Sequence, residues 1–272
     1  MYIQQTDGIS YRMKEPFDFG FLKKYGRVFK AFDDQDSGNI CFGLKDGQRR
    51  LFLKFAGAPT ARGSVSTQAA IENLRATLPV YSDLAHDNLI RLVDHGEMGG
   101  GYALVFEWVD AICMGRMYPE QHEEFMRLPV AVRSKIFEDI VRFHICAAQR
   151  GYAAVDLYDG TVMYDIENHR TVLCDIDFYR RAPFVNDMGR MWGSERFMSP
   201  EEFTLGAVID EVTNVYTVGA MAFAMFANYS REAEAWTLSE EKYLIAKKAV
   251  SDNRKERWGS LSELLSAWTA AR

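Results

Sequence analysis

The sequence predicts an α+β chain: a small antiparallel β-rich N-terminal lobe carrying one helix, and a larger, mainly α-helical C-terminal lobe. Three observations lead there. Up to about residue 110, short runs of β-branched and aromatic residues alternate with turn-forming Asp, Gly and Asn. Beyond that point, apolar residues recur at helical spacing. The change of texture happens once, which divides the chain into residues 1–108 and 109–272.

In the first part, GRVFKAF, NICFGL, RRLFLKFAG, LIRLVDHG and YALVFEWV read as strands, and the connectors DDQDSG and KDGQ carry turn chemistry. One helix, residues 67–78, interrupts them. Its Ile71, Leu74 and Leu78 share a face, and Pro79 cannot continue it without strain. In the second part, residues 129–151 read as one long helix, with Pro near its start and Gly past its end. A zone of loops and short strands follows over residues 152–178, and then helices over 209–227, 239–250 and 261–270. The longest apolar run, VYTVGAMAFAMFA, falls short of the roughly 20 residues that span a bilayer, so it reads as a core helix.

Composition narrows the function. Hydrophobic residues make up 48% and charged residues 26%, an ordinary globular balance. A net charge of -6 argues against broad attraction to nucleic acid or anionic membranes. Cys41, Cys113, Cys146 and Cys174 form no CxxC pair, so neither a zinc site nor a disulfide framework is expected. The start lacks the shape of a signal peptide, and a cytoplasmic location is expected. None of the five histidines shows metal-ligand spacing.

The chemistry concentrates in VDLYDGTVMYDIENHRTVLCDID. It reads as loop, strand, turn, strand and acid, a path that brings its two ends together. Asp156 and Asp175 would then converge. Two such carboxylates can divide two tasks: orienting a hydroxyl proton and holding Mg²⁺. Strand alternation favours Asp175 over Asp177 as the principal metal ligand, because the residue two before it is Leu173 rather than a charge.

This stretch resembles the catalytic core of protein kinases, and the motif order is most similar to bacterial serine/threonine kinases of eukaryotic type. Asp156-Leu157 matches the catalytic-loop pair, with Thr161 where the family has a metal-binding Asn and Ala154-Val155 where it has His-Arg. Asp175-Ile176-Asp177 stands for the DFG motif, and Ser199-Pro200-Glu201 within WGSERFMSPEE stands for Ala-Pro-Glu. IDEVTNVYTVGA resembles the next core helix, with Asn214 at a position normally Asp, and Arg257 in SDNRKERWGS would pair with Glu201. Upstream, Lys54 resembles the lysine that contacts the α- and β-phosphates, with Glu72 as candidate partner. Phe106 would be the gatekeeper, and the backbones of Glu107 and Val109 would meet adenine. The phosphate loop is placed at DDQDSG, with Ser37, Gly38 and the following Ile40 as cofactor-binding residues. Its three aspartates would repel a triphosphate unless a cation or their orientation relieves the field.

The resemblance implies a bilobal protein-kinase-like fold, ATP and Mg²⁺ as cofactors, and phosphoryl transfer to the hydroxyl of a protein or small molecule. The missing Arg before Asp156 implies that activity does not hang on a phosphorylated activation loop. Tyr158, where the catalytic loop usually has Lys, leaves a small-molecule phosphotransferase open; the missing His-Arg and Asn leave a pseudokinase that binds without chemistry. A monomer or weak dimer, with no nucleic-acid partner and no membrane span, completes the expectation.

Overall fold

The computed structural model describes residues 1–271 and resolves an α+β chain, antiparallel and β-rich at the N-terminal end and mostly helical at the C-terminal end. It forms two compact units, Met1–Ser82 with Ile90–Val109, and Asp83–Leu89 with Asp110–Arg272. The short segment before residue 90 thus belongs with the helical unit, where Leu89 bridges Leu173.

The first unit opens with a hairpin, β1 (Tyr2–Thr6) and β2 (Ile9–Met13), turned at Asp7-Gly8. Asp-Gly between alternating residues is a strong hairpin signal, and it lies in the stretch read above only for targeting. A five-stranded antiparallel sheet follows: β3 (Arg27–Phe32), β4 (Asn39–Asp46), β5 (Arg49–Ala56), β6 (Leu92–Met98) and β7 (Gly101–Glu107), in the order β3-β4-β5-β7-β6. One face carries a core of Ile40, Phe42, Leu44, Leu51, Leu53, Phe55, Ala103 and Val105, closed by Tyr11 and Phe19. Tyr11, Phe19 and Phe42 meet edge to face, with ring centroids 5.0–5.7 Å apart.

The helix expected over residues 67–78 ends earlier. Helix α1 spans Thr67–Ala76, capped by Ser66, whose side chain accepts from the Ala69 N–H at 3.1 Å. A separate α2 (Leu78–Asp83) then begins, with Pro79 in its first turn. A proline ring clashes with the carbonyl four residues back inside a helix but is tolerated in a first turn, so the chain breaks at Thr77 and restarts.

The helical unit begins with β8 (Ile112–Cys113) and α3 (Pro119–Arg127). Helix α3 has no sequence-stretch expectation behind it, since it buries only Phe125. Helix α4 (Val130–Gln149) leads into β9 (Tyr152–Ala153), β10 (Val162–Asp165), β11 (Arg170–Leu173), β12 (Arg180–Arg181), β13 (Phe184–Val185) and β14 (Val208–Ile209). Helices α5 (Glu211–Ala227), α6 (Glu240–Ala249) and α7 (Leu261–Ala270) complete it. The apolar run is the core of α5, buried almost throughout. A Cβ on Gly219 would come within 2.6 Å of the Ala249 Cβ, so glycine there lets α5 and α6 approach closely. Phe137, Phe226 and Trp268 join α4, α5 and α7 in one aromatic cluster. Among the described residues no helix is long and apolar enough to cross a membrane, and no disulfide joins the four cysteines.

Candidate functional site

In the first unit, strand register sets the faces. Lys54 lies opposite Cys41 on one side and Leu104 on the other, so all three share the face that the apolar core does not occupy. Lys54 is 9% exposed, and Phe52 and Phe106 stand on the same face. Phe29, Phe32 and Trp108 extend it as an aromatic lining, with the Phe29 and Trp108 centroids 4.8 Å apart.

The other residues assigned to nucleotide contact are placed as follows. Ile40 points away from Lys54: it is odd in step with Cys41 and fully buried in the aromatic core, so it serves packing. Ser37 and Gly38 close the connection between β3 and β4, and a Cβ on Gly38 would come 3.0 Å from the Ala70 Cβ of α1. The acidic connection is neutralised from within. Asp33 takes the Arg12 guanidinium at 2.9 Å, which holds its carboxyl below the usual range, and Arg62 reaches Asp34 at 2.6 Å. Glu72 is exposed and accepts from Gln68 at 2.7 Å. Helix α1 presents Ala70 and Leu74 inward, which turns Glu72 outward, toward Gln68 on its own helix. The Glu107 N–H is used by the Arg91 carbonyl at 3.0 Å, and Phe106 packs on Tyr81 with centroids 4.9 Å apart. Val109 is the last residue of this unit.

In the helical unit, β10 and β11 pair from Val162–Leu173 to Asp165–Arg170, a tight hairpin. It returns the chain, and Cys174 N–H bonds the Thr161 carbonyl at 3.0 Å. The loop before the hairpin and the acid after it are therefore neighbours. Asp175 lies beyond the strand, which ends at Leu173, and has a φ of 57°. Strand alternation does not reach it; the left-handed turn aims its side chain instead. Asp156 also sits in the left-handed region, with a φ of 60°, a conformation that costs a non-glycine residue on the order of 1–3 kcal/mol.

Tyr179 feels the charge of both aspartates. It is 5% exposed, and burial, then the charges of Asp156, Cys174 and Asp175, push its ionisation far above the ordinary phenol range. Its hydroxyl bonds His144 Nε2 at 2.7 Å, and His144 Nδ1 bonds the Ile140 carbonyl at 2.7 Å. Burial pushes His144 down to about 4, so the imidazole is neutral, donates to Ile140 and accepts from Tyr179. Thr161 is buried and donates its hydroxyl to the Tyr158 carbonyl at 2.7 Å. Asp177 is half-buried, one turn residue beyond Ile176. Among the described residues no three His, Cys, Asp or Glu side chains converge on one point.

The surrounding braces are strong. Asn214 on α5 clasps the backbone beside the loop: its Oδ1 accepts from the Ala154 N–H at 2.8 Å and its Nδ2 donates to the Ala154 carbonyl at 2.7 Å. Arg257 meets Glu201 through two bonds of 2.6 and 2.9 Å, as the resemblance implied. Arg254 adds a third at 3.0 Å. Asp159, quoted above only as a loop residue, is fully buried and receives the Tyr229 hydroxyl at 2.5 Å and Arg196 Nη2 at 3.3 Å. Tyr-Asp-Gly reads as a turn, and nothing local to it signals burial. Likewise His144 and Tyr179 are 35 positions apart, a pairing that only the fold creates.

Comparison with known proteins brings no match, either to a family model or to a curated protein.

Proposed function

We propose that the chain is a cytoplasmic, ATP-dependent phosphotransferase of protein-kinase-like fold that moves a phosphoryl group onto a hydroxyl. The observation that carries this reading is the pair Asp156 and Asp175. Both are held in left-handed backbone conformations, both bear on the buried Tyr179, and both lie at the ends of one loop–hairpin unit. Strain kept at two acidic residues, and braced by Asn214 from behind, suits a site built to hold carboxylates in fixed directions.

In this mechanism Asp156 orients the acceptor hydroxyl and takes its proton, which makes the oxygen a better nucleophile. Lys54 contacts the α- and β-phosphates, and the aromatic face around Phe52, Phe106 and Trp108 gives a purine an apolar wall. An adenine contact at Glu107 would use its carbonyl, since its N–H is already bonded. Asp175, with Asp177 beside it in the chain, would hold Mg²⁺, which supplies charge neutralisation on the phosphates. Mg²⁺ keeps several waters and binds through one or two carboxylates plus phosphate oxygens, so an all-protein cage is not required.

The test is transfer from γ-labelled ATP into protein and metabolite pools. Label in protein makes it a protein kinase, and label in metabolites a small-molecule phosphotransferase. Asp156→Asn should lower transfer at least a hundredfold; undiminished transfer sinks the assignment. A second reading, a binding module without catalysis, is favoured by Thr161, whose hydroxyl is engaged with Tyr158. It predicts Mg·ATP stabilisation against heat with no turnover.

A further inference from the structure

We propose that Arg116 and Arg196 select an acceptor bearing negative charge beside its hydroxyl, and that an acidic peptide is the class that fits; this rests on reading Asp156 as the acceptor-side residue. The argument starts from Asp159, three residues after Asp156. Its fully buried carboxylate takes the Arg116 N–H at 3.3 Å, the Gly160 N–H at 3.1 Å, the Tyr229 hydroxyl at 2.5 Å and Arg196 Nη2 at 3.3 Å. That charge is spent inside the protein.

Outside it stand two guanidinium groups on one ring. The Arg116 Cζ lies 3.7 Å from the Tyr229 centroid and the Arg196 Cζ 5.1 Å from it. Arg116 is exposed, and while its backbone N–H serves Asp159, its guanidinium donates to the Asn228 carbonyl at 3.3 Å and to the Asn228 Oδ1 at 3.0 Å. The Arg196 side chain is 41% exposed. A guanidinium held against an aromatic ring keeps N–H groups free of that contact, and its planar fork can receive a carboxylate or phosphate through two bonds. Asn228 and Tyr229 hold positive φ values of 46° and 71°, unusual for consecutive non-glycine residues, and this keeps the ring in place.

The patch adjoins the acceptor side. Arg196 follows three residues after Gly193, whose Cβ position is 3.7 Å from Asp156 Oδ1. Arg196 is paired with Asp159, so the Arg116 guanidinium is the charge of this pair left over for a ligand. Exposed Met117 follows Arg116 and exposed Trp192 precedes Gly193, apolar neighbours that suit an extended peptide better than a bare small acid.

The experiment uses the full chain and a fluorescent peptide of Glu and Asp with Ala at the acceptor position, followed by anisotropy. Binding should weaken with salt and fall at least tenfold in Arg116→Gln, while Arg142→Gln on α4 keeps it. Arg116→Gln is the informative variant because Arg196→Gln also strips a buried carboxylate of its partner; its melting temperature should stay near wild type. Arg116→Lys, charged but not planar, should fall between. No binding by wild type, or equal binding by Arg116→Gln, overturns the proposal. Free phosphoserine displacing the peptide at equal concentration overturns the peptide assignment in favour of a small anion. Because the peptide has no hydroxyl, its binding is read independently of transfer. Binding with no transfer to any pool would sink the phosphotransferase reading alone.

Discussion

His144 and Tyr179 form a two-bond chain from the Ile140 carbonyl to the neighbourhood of the two aspartates. Each bond is made in full burial, where an unmet polar atom costs about 1–3 kcal/mol. Tyr179→Phe removes the donor and leaves His144 Nε2 without one. We expect the variant to lose roughly 1–3 kcal/mol in urea unfolding. Unchanged stability would mean that His144 finds another donor. At this scale the sequence marks Asp156 and Asp175 by their neighbours, but it gives no sign of His144 or Asp159. Their importance lies in burial and in partners up to 70 positions away.

Among the elements, α5 carries the most. It is capped by Asp210, ends at left-handed Asn228, and places Asn214 against the Ala154 peptide from both sides. An amide suits this place because it must accept and donate at once. Asn214→Ala leaves a buried N–H and a buried carbonyl unpaired, and should cost about 2–4 kcal/mol by denaturant titration. Asn214→Asp keeps the acceptor but turns an oxygen toward the Ala154 carbonyl, so it should also destabilise. The Glu201–Arg257 pair ties the segment after the aspartates to the start of the last helices. Burial pushes Glu201 up, but the Arg257 bonds and charge, a backbone bond and the Thr213 hydroxyl together outweigh it, leaving its carboxyl below the usual range. Arg257→Ala removes two of the three guanidinium bonds on a buried carboxylate and leaves only Arg254, so it should cost about 3 kcal/mol, measured as a shift of the urea midpoint. The spans of α5, α6 and α7 were readable from periodicity and caps. The break at Thr77 was not, because the apolar face continues through it while the backbone does not.

Across the whole molecule, two buried groups give stability opposite dependences on pH. Glu202 is 3% exposed, and burial pushes its carboxyl up to about 7, against the Ser199 bonds and the Arg257 charge and with the help of Glu201. Between pH 4.5 and 7 the unfolded chain releases a proton that the folded chain keeps, so stability falls as pH rises. His144 does the reverse. Between about pH 4 and 6.5 the unfolded chain takes a proton that the folded chain refuses, so stability falls as pH drops. Each slope is ~1.4 kcal/mol per pH unit, and in their shared window the two nearly cancel. Glu202→Gln removes one of them. The stability difference between variant and wild type should therefore grow from pH 4.5 to 7 by ~2–3 kcal/mol, followed by denaturant titration at stepped pH. A constant difference would place the Glu202 pKa at its ordinary value.

By itself, the sequence determined the strands of the five-stranded sheet, the long helices of the second part, the single change of texture, and which acids stand beside hairpin and turn chemistry. Those are local matters of propensity, periodicity and spacing, and each is set by residues close in the chain. The tertiary structure decided which face of the sheet Lys54 occupies, that Ile40 belongs to the core and Glu72 to solvent, and that the Tyr179 hydroxyl meets His144. Register, burial and left-handed backbone turns arise from contacts between distant segments, and no local pattern encodes them.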